Sequence, residues 1–409
     1  MQEIGIRQTR IFLAVADCQG VSRAAKALNR SQTSVTKSLH DLERQIGEKL
    51  FDRSSQGVSL TAFGECLVKR AREAADAFAA AGELVPPASL HHSTSTARFF
   101  QMDVSDRWLD AFLTVVEHQN IAAAAEHLGL TPAAVSSSLR KLEDALNTSL
   151  LERTPAAIIP SAFGRELARY VKLARSYLRS ACDEIAGLRG VKRGQLVIGT
   201  LPFVRTIIVP KAITSVVDDH SYLDVSTVEG PYDDLVAGLR CGDIDIVIGA
   251  LRGAKADKDL QEEPVFNDSL SAIVRAGHPL VTRKRVAWRD LLNYQWILPR
   301  QGTPTRKLFE KAIVGRGLPL PQHVVETSSL VILRGLLLES DRVTILSRHQ
   351  IRYEEQTGLL SALPFKLSGT ERPIGMTRRK IGAPSPAAEL FVKELRAAID
   401  EFIGDLSAS

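Results

Sequence analysis

A chain of 409 residues exceeds one compact domain, and its 44% apolar and 24% charged residues are ordinary for a globular protein of about two to four domains. No apolar run reaches the ~18 residues of a membrane helix, and the charged start MQEIGIRQTR lacks an apolar leader segment, so a cytoplasmic protein with no membrane span is expected. A net charge of +5 permits nucleic-acid binding without requiring it, so the placement of the charge matters more than its sum.

Gln8 to Asp17 open the chain with a helical pattern in which Ile11, Phe12, Val15 and Ala16 share a face. Ser22 to Leu28 read as a second short helix, with Ser22 as its cap and the small pair Ala24-Ala25 facing inward. Asn29 and Arg30 make a turn. Ser31 then caps a third helix, SQTSVTKSLHDLE, that runs to about Ile46 and stops at Gly47. Its buried face is Val35, Leu39 and Leu42. Its other face carries Gln32, Thr33, Ser34, Thr36, Lys37 and His40, side chains able to bond base edges and phosphates. Two short helices joined tightly form a helix-turn-helix. Leu50-Phe51 and Val58 to Leu60 predict a two-stranded wing with Arg53 in reach of DNA. Thr61 caps a long helix ending near Gly82.

The ordered set Ser22-Arg23-Ala24-Ala25, Ser31 to Glu43, Leu50-Phe51-Asp52-Arg53 and Leu60-Thr61-Ala62-Phe63-Gly64 resembles the N-terminal domain of LysR-type transcriptional regulators. The resemblance implies promoter DNA as partner, with Ser31, Gln32, Thr33, Ser34, Thr36, Lys37, His40 and Arg53 as its DNA-facing residues.

Residues 83–106 break the pattern with Pro86-Pro87, His91-His92 and a Ser/Thr run, which reads as a flexible linker. The module then repeats. At an offset of 100, 18 of the 56 positions from 12 to 67 are identical without a gap, including Ala24/Ala124, Val35/Val135, Glu43/Glu143, Arg53/Arg153 and Gly64/Gly164. A second winged helix-turn-helix is therefore expected over 107–190, a departure from the single module usual in the family. Thr131, Pro132, Ser136, Ser137, Arg140 and Arg153 are its candidate DNA residues, with Pro132 suited to the first helical turn. Residues 21–60 hold seven Lys/Arg against four Asp/Glu, whereas 121–160 hold three against four, so the first copy should bind phosphates more strongly. The second copy either contacts DNA or serves dimerisation or spacing. From Ser161 a second long helix runs to about Arg189. The family pairs this helix with a partner's copy, and packing within the same chain is the alternative.

From Gly194 strands and helices alternate: strands at 195–199, 223–229 and 244–249, helices at 209–217 and 232–241. Apolar strands in this order predict a parallel sheet covered on both faces. A second lobe is expected from about Asp268 to 365, with return to the first lobe over 366–409. This half resembles the LysR effector domain of periplasmic-binding-protein fold, so the whole is α/β: two mainly α winged helix-turn-helix domains (1–82 and 107–190, linker 83–106) followed by a two-lobed domain at 191–409. Details such as Ile198 to Pro202, Val228 to Tyr232, Gly249 to Arg252, Pro299-Arg300, Gly302 to Pro304 and Arg378 resemble the subgroup named after the galactose-binding-protein regulator. Ligands of such folds sit between lobes at strand ends. The candidates are Thr200, Leu201, Pro202, Glu229, Ala250, Leu251 and Arg252 from the first lobe. The second lobe supplies Gly302, Thr303, Thr305, Arg306 and Ser328, with helix N-termini and Arg306 suited to a carboxylate or hydroxyls.

The leading reading is a ligand-responsive transcription factor, with an effector-independent regulator or a tandem DNA-binding scaffold with a vestigial pocket as the alternative. A small-molecule effector, either a sugar or an organic acid, and a homo-oligomer, dimer or tetramer, follow from the resemblance, with RNA polymerase a further partner. An enzyme is disfavoured: no GxSxG, P-loop, paired acid/base motif or metal-spaced His/Cys set occurs, so no catalytic residue, cofactor or metal is expected. Cys18, Cys66, Cys182 and Cys241 are scattered and read as small buried hydrophobes, with redox sensing the alternative. A pure solute-binding protein would need a leader and would not need the DNA modules.

Overall fold

The computed structural model describes residues 4–54, 57–83, 104–155, 157–191, 193–253 and 259–407. Most of the expected linker, including Pro86-Pro87 and His91-His92, lies outside the described residues.

The first unit is α1 (Ile6–Cys18), α2 (Val21–Ala27), α3 (Gln32–Ile46), a hairpin of β1 (Phe51–Ser54) and β2 (Gly57–Leu60), and the long α4 (Ala62–Glu83). Ser31 caps α3 by accepting the Ser34 amide at 3.2 Å. Val35, Leu39, Leu42 and Ile46 bury one stripe of the helix, and Gly47 ends it at φ 84°. Asn29, at φ 50°, makes the turn between α2 and α3. Ser22 is not the cap of α2. That place falls to Gly20, and the Ser22 hydroxyl, inside the first turn, donates to Gln32 Oε1 at 3.1 Å and ties the two short helices.

The second unit repeats the order: α5 (Asp106–His118), α6 (Ile121–His127), α7 (Pro132–Leu146), β3 (Leu151–Arg153), β4 (Ile158–Pro160) and α8 (Ala162–Leu188). The local chemistry repeats too. Glu43 accepts the Leu50 amide at 3.0 Å, and Glu143 accepts that of Leu150 at 2.7 Å. Thr61 donates to the Lys49 carbonyl and caps Gly64, as Ser161 donates to the Ser149 carbonyl and caps Gly164. A methyl added at Gly64 or Gly164 would collide with the carbonyl oxygen of Leu50 or Leu150. Glycine there lets the long helix lie against the base of the wing.

The two units share one apolar core. The helices α4 and α8 pack antiparallel: Cys66 and Arg70, early in α4, meet Glu184 near the end of α8. Ala71, Ala74, Ala77 and Ala81 of α4 and Ala168, Ala174 and Ala181 of α8 are buried, and small side chains allow close approach. At the other point of contact the equivalent positions Ile6 and Asp106 meet, the carboxylate accepting the Ile6 amide at 2.9 Å. Antiparallel helices and a contact between equivalent residues are the marks of a two-fold relation inside one chain. A cavity of about 800 Å³ beside this contact is lined by Gln8, Gln45, Asp106, Asp110 and Arg175 among others. Its polar groups pair with one another, Gln8 with Gln45 and Arg175 with Asp110.

The C-terminal half has two five-stranded sheets. The first is ordered β6 (Leu223–Glu229), β5 (Gly194–Thr200), β7 (Ile246–Ala250), β14 (Arg372–Arg379), β8 (Leu260–Asp268). Around it lie α9 (Ile208–Asp219), α10 (Tyr232–Cys241) and the C-terminal α15 (Pro386–Ser407). The second is ordered β11 (Val325–Glu326), β10 (Trp296–Leu298), β12 (Val343–Ser347), β9 (Leu270–Arg275), β13 (Leu360–Lys366). Its helices are α11 (Trp288–Leu291), α12 (Pro304–Val314), α13 (Leu330–Leu338) and α14 (Arg352–Gln356). The expected parallel sheet is corrected to a mixed one. β5 runs parallel to β6 and β7, but β14 runs antiparallel to β7 and β8, because these two strands leave and re-enter the first lobe at the crossings. β6 is an edge strand with largely exposed side chains, which its sequence LDVSTVE, only partly apolar, matches.

The helix α8 docks on the first lobe. Lys172 pairs with Asp243 at 2.8 Å, and Tyr177 donates to the Ile381 carbonyl at 3.1 Å. Asp183 is enclosed at this joint, and burial pushes its carboxyl up from 3.8 to about 6, against the nearby Arg193 and Arg179. A carboxyl that holds its proton more tightly when folded favours folding at low pH, and that advantage fades as pH rises from about 4 past 6.

Two outcomes follow. Gly64→Ala or Gly164→Ala should each destabilise the protein by about 1–3 kcal/mol in urea unfolding, since the backbone oxygen beneath cannot yield. Asp183→Asn should raise the melting temperature at about pH 7.5 and leave it nearly unchanged at about pH 3, where the carboxyl is protonated in the folded and the unfolded chain alike. Equal shifts at both pH values would refute the titration.

Candidate nucleic-acid interface and effector cleft

The outer face of α3 presents Gln32, Thr33, Lys37 and His40 to solvent, with Ser31 exposed at its start and Ser34 and Thr36 half-buried. Arg44 and Lys49 are already engaged, with Asp41 at 2.6 Å and Glu43 at 3.0 Å, so Lys37 is the cation that α3 offers outward. Arg53 stands on β1 opposite Val58; its side chain lies outside the described residues. On α7, Thr131, Pro132, Ser137 and Arg140 are exposed and Ser136 is half-buried. Thr131 caps the helix through the Ala134 amide at 3.2 Å, with Pro132 in the first turn. Arg153 is exposed on β3 beside Glu152. The sequence missed the cap of α6, where Asn120 accepts the Ala122 and Ala123 amides. The offset comparison sets Asn120 opposite Gly20, two good cap residues of different chemistry.

In the C-terminal half the strand ends of both sheets meet at two crossings, 268–270 and 366–372. Asp268 sits at the first, with 4% exposure, and Arg372 at the second. Asp268 accepts the Ser347 hydroxyl at 2.7 Å and pairs with Arg372 at 3.2 Å. Arg372 also donates to the Thr305 hydroxyl at 2.9 Å, so one guanidinium joins the two crossings to the N-terminus of α12. Nothing in local sequence pattern marked Asp268, Ser347 or Arg372, because each partner lies more than 60 positions away.

Around this knot the expected residues fall into two groups. Thr200 is buried at the end of β5, and Arg205 donates to both its hydroxyl and its carbonyl. Arg205 then pairs with Glu229 at 2.9 Å; burial pulls its guanidinium below its ordinary value. Leu201 is buried and Pro202 exposed. Ala250 ends β7, and the Leu251 amide donates to the Pro373 carbonyl beside Arg372. Gly302 (φ 80°), Thr303 and Thr305 form the start of α12, Thr303 accepting the Arg306 amide. Of these, Leu251 and Thr305 are bonded to the second crossing, through Pro373 and Arg372.

Two others are engaged elsewhere. Arg306 is 5% exposed, and its guanidinium is spent on Glu310 (2.6 Å), Glu326 (3.2 Å) and the Pro299 carbonyl. The expectation that it holds a ligand carboxylate is therefore corrected: a buried cation with two carboxylates is already neutralised. Arg252 stacks over Tyr232 at 4.6 Å, and its amide donates to Glu262, which turns it along the first lobe. Ser328 is exposed between β11 and the Ser329 cap of α13.

Two of the thiols carry little reactivity. Burial, with a hydrogen bond to Glu184, pushes Cys66 up to about 12, and burial pushes Cys241 up to about 11, so both stay protonated. Among the described residues no helix is long and apolar enough to cross a membrane, and no group of three or more His, Cys, Asp or Glu stands where it could hold a metal.

Known proteins share this layout. The family described as the bacterial regulatory helix-turn-helix protein of the lysR family matches residues 6–65 and 107–165, and the LysR substrate binding domain matches 189–400. The HTH-type transcriptional regulator GalR of Pseudomonas putida is 34% identical over 97% of this chain and 98% of its own. The regulator GbpR of Azospirillum brasilense is 29% identical over 74% of this chain and 89% of its own. A full-length OxyR variant from Pseudomonas aeruginosa has the same fold, with a TM-score of 0.53 and 21% identity over 76% of this chain and 95% of that one. With helix-turn-helix geometry ahead of a two-lobed substrate-binding domain, and with these matches, the chain belongs to the LysR family of DNA-binding transcriptional regulators.

Proposed function

We propose that this regulator carries two winged helix-turn-helix modules in one chain and that both face promoter DNA. The observation that carries this is the antiparallel pairing of α4 with α8, which with the Ile6–Asp106 contact relates α3 to α7 as two halves of a dimer. DNA sites read by two-fold related helices are inverted repeats, so one chain suits an operator of two half-sites. The modules are unequal. Lys37 and the net positive charge of 21–60 make α3, through Ser31 to His40, the principal reader, and α7 with Arg140 the weaker one. The alignment with GalR, covering 97% of this chain, runs through both modules, whereas that with GbpR covers nearly all of GbpR and only 74% of this chain.

The two-lobed domain, in this reading, takes a small polar metabolite between Thr200, Leu201, Glu229, Ala250 and Leu251 on one side and Gly302, Thr303, Thr305 and Ser328 on the other. Arg205 and Arg372 stand beside the set, already paired with Glu229 and Asp268, and Pro202, Arg252 and Arg306 are left out. Likeness to the galactose-binding-protein regulator subgroup, with the match to GbpR, favours a sugar, and an organic acid is the alternative. Ligand shifts the population of closed lobes and so the placing of the modules. A dimer of chains would present four modules at a cytoplasmic promoter, within reach of RNA polymerase.

Footprinting with full-length protein on the DNA upstream of its own gene tests the two readers. Lys37→Ala should weaken binding about 10-fold and reduce the salt slope by about 1. Arg140→Ala should remove one segment of the protected region; a footprint untouched by that change would make the second module a scaffold. A thermal-shift screen of sugars against small carboxylic acids separates the ligand classes, since a ligand at 100 times its Kd adds about 2.7 kcal/mol. A melting curve moved by neither class would favour an effector-independent regulator.

A further inference from the structure

Arg70 stands early in α4, in the first unit, and only 2% of it is exposed. None of its partners belongs to the helix-turn-helix of that unit. Its Nε and Nη2 donate to Glu184 of α8, the first at 2.6 Å. Its Nη1 donates to the Ala383 carbonyl at 2.6 Å and to Glu73 at 3.0 Å, and its Nη2 to the Pro384 carbonyl at 2.8 Å. Glu73 in turn accepts the Ala383 amide at 3.1 Å. Ala383 and Pro384 belong to the loop that follows β14. Tyr177 of α8 holds the same loop through the Ile381 carbonyl, and Gly382, at φ 84°, lies so close to the Tyr177 ring that a methyl there would collide with it. A buried guanidinium that satisfies two carboxylates and two carbonyls cannot lose one partner without leaving buried polar groups unpaired.

The loop is also the far end of the strand whose start is Arg372. β14 is hydrogen-bonded on both sides, to β7 and β8, and its eight residues span about 26 Å. One end is tied by Arg372 to both lobe crossings and to Thr305. The other end runs into the loop that Arg70 holds. Strand and loop therefore place a lever between the interlobe knot and the pair α4 and α8.

We propose that Arg70 is the positioning residue through which the state of the two lobes sets the placement of the paired long helices, and with them the two recognition helices. This rests on reading the two units as DNA-reading modules, but the joint itself is testable without DNA. Arg70, standing on α4 and bonded to Glu184 of α8, ties both long helices to the loop, beside the Glu73, Lys172 and Tyr177 contacts, so within a single chain lobe movement reaches the two modules together.

The test is hydrogen–deuterium exchange on the full chain, using the hinge substitution Asp268→Asn as the perturbation in place of a ligand. In the otherwise native protein, Asp268→Asn should speed exchange several-fold in 380–385 and in 62–83 and 162–188. In an Arg70→Met background the same hinge change should still speed 380–385 but affect the two long helices several-fold less than in the native background. Arg70→Lys, which keeps the charge and one arm to Glu184 but cannot span both carbonyls, should uncouple in the same way, and it carries the test if Arg70→Met fails to fold. Two results would overturn the proposal: hinge effects on the long helices that are equal with and without Arg70, or none in the native background.

Discussion

The packing of α4 against α8 is the constraint on which the rest of the molecule depends. Alanines along both helices let the backbones approach, and larger side chains such as Leu67, Phe78, Leu167 and Tyr177 fill the remaining space. Each large side chain so buried contributes roughly 1.5–3 kcal/mol, which suffices to hold two units that share no sheet. Their relative orientation, and so the separation of α3 and α7, is set there and at the Ile6–Asp106 contact. The same pair forms the platform on which the first lobe rests, through Lys172, Tyr177 and Arg70.

Charge is handled differently in the two halves of the molecule. On the outer faces of α3 and α7, cations such as Lys37 and Arg140 are left toward solvent. Between the domains and lobes, arginines are consumed internally. Arg70 and Arg306 sit among carboxylates and carbonyls, and Arg372 between the Asp268 carboxylate and the Thr305 hydroxyl, so they act as fasteners with fixed geometry. Arg70 illustrates the balance: burial alone would lower its affinity for a proton, yet the Glu184 and Glu73 carboxylates hold it above its ordinary value.

Much of the architecture was legible because it is written in short-range patterns. The Ser31 cap, the stripe Val35, Leu39, Leu42 and the stop at Gly47 lie within 17 residues, and a repeat at constant offset exposes the second copy. Strands such as 223–229 and helices such as 232–241 fell where apolar runs and turn residues set them. The direction of β14 did not, since a returning strand looks the same read either way. Arg306 was misread for a related reason. A cation at a helix start suits a ligand or a carboxylate of the same protein equally, and Glu326 becomes its neighbour only on folding. Asp268, Arg372 and Arg70 carry no local mark at all, as their partners stand from 67 to 314 positions away apart from Glu73.

Joining two modules in one chain removes concentration from their pairing, because a tethered partner is present at an effective concentration set by the connection alone. It also removes an evolutionary restriction. In a homodimer every substitution is made twice, once in each half, so a change that suits one half-site is imposed on the other. Here Asn29 and Gly129, Lys37 and Ser137, His40 and Arg140 occupy equivalent places with different residues. The outer face of each module is thus free to change by itself, and residues 121–160 hold three Lys/Arg against four Asp/Glu where 21–60 hold seven against four.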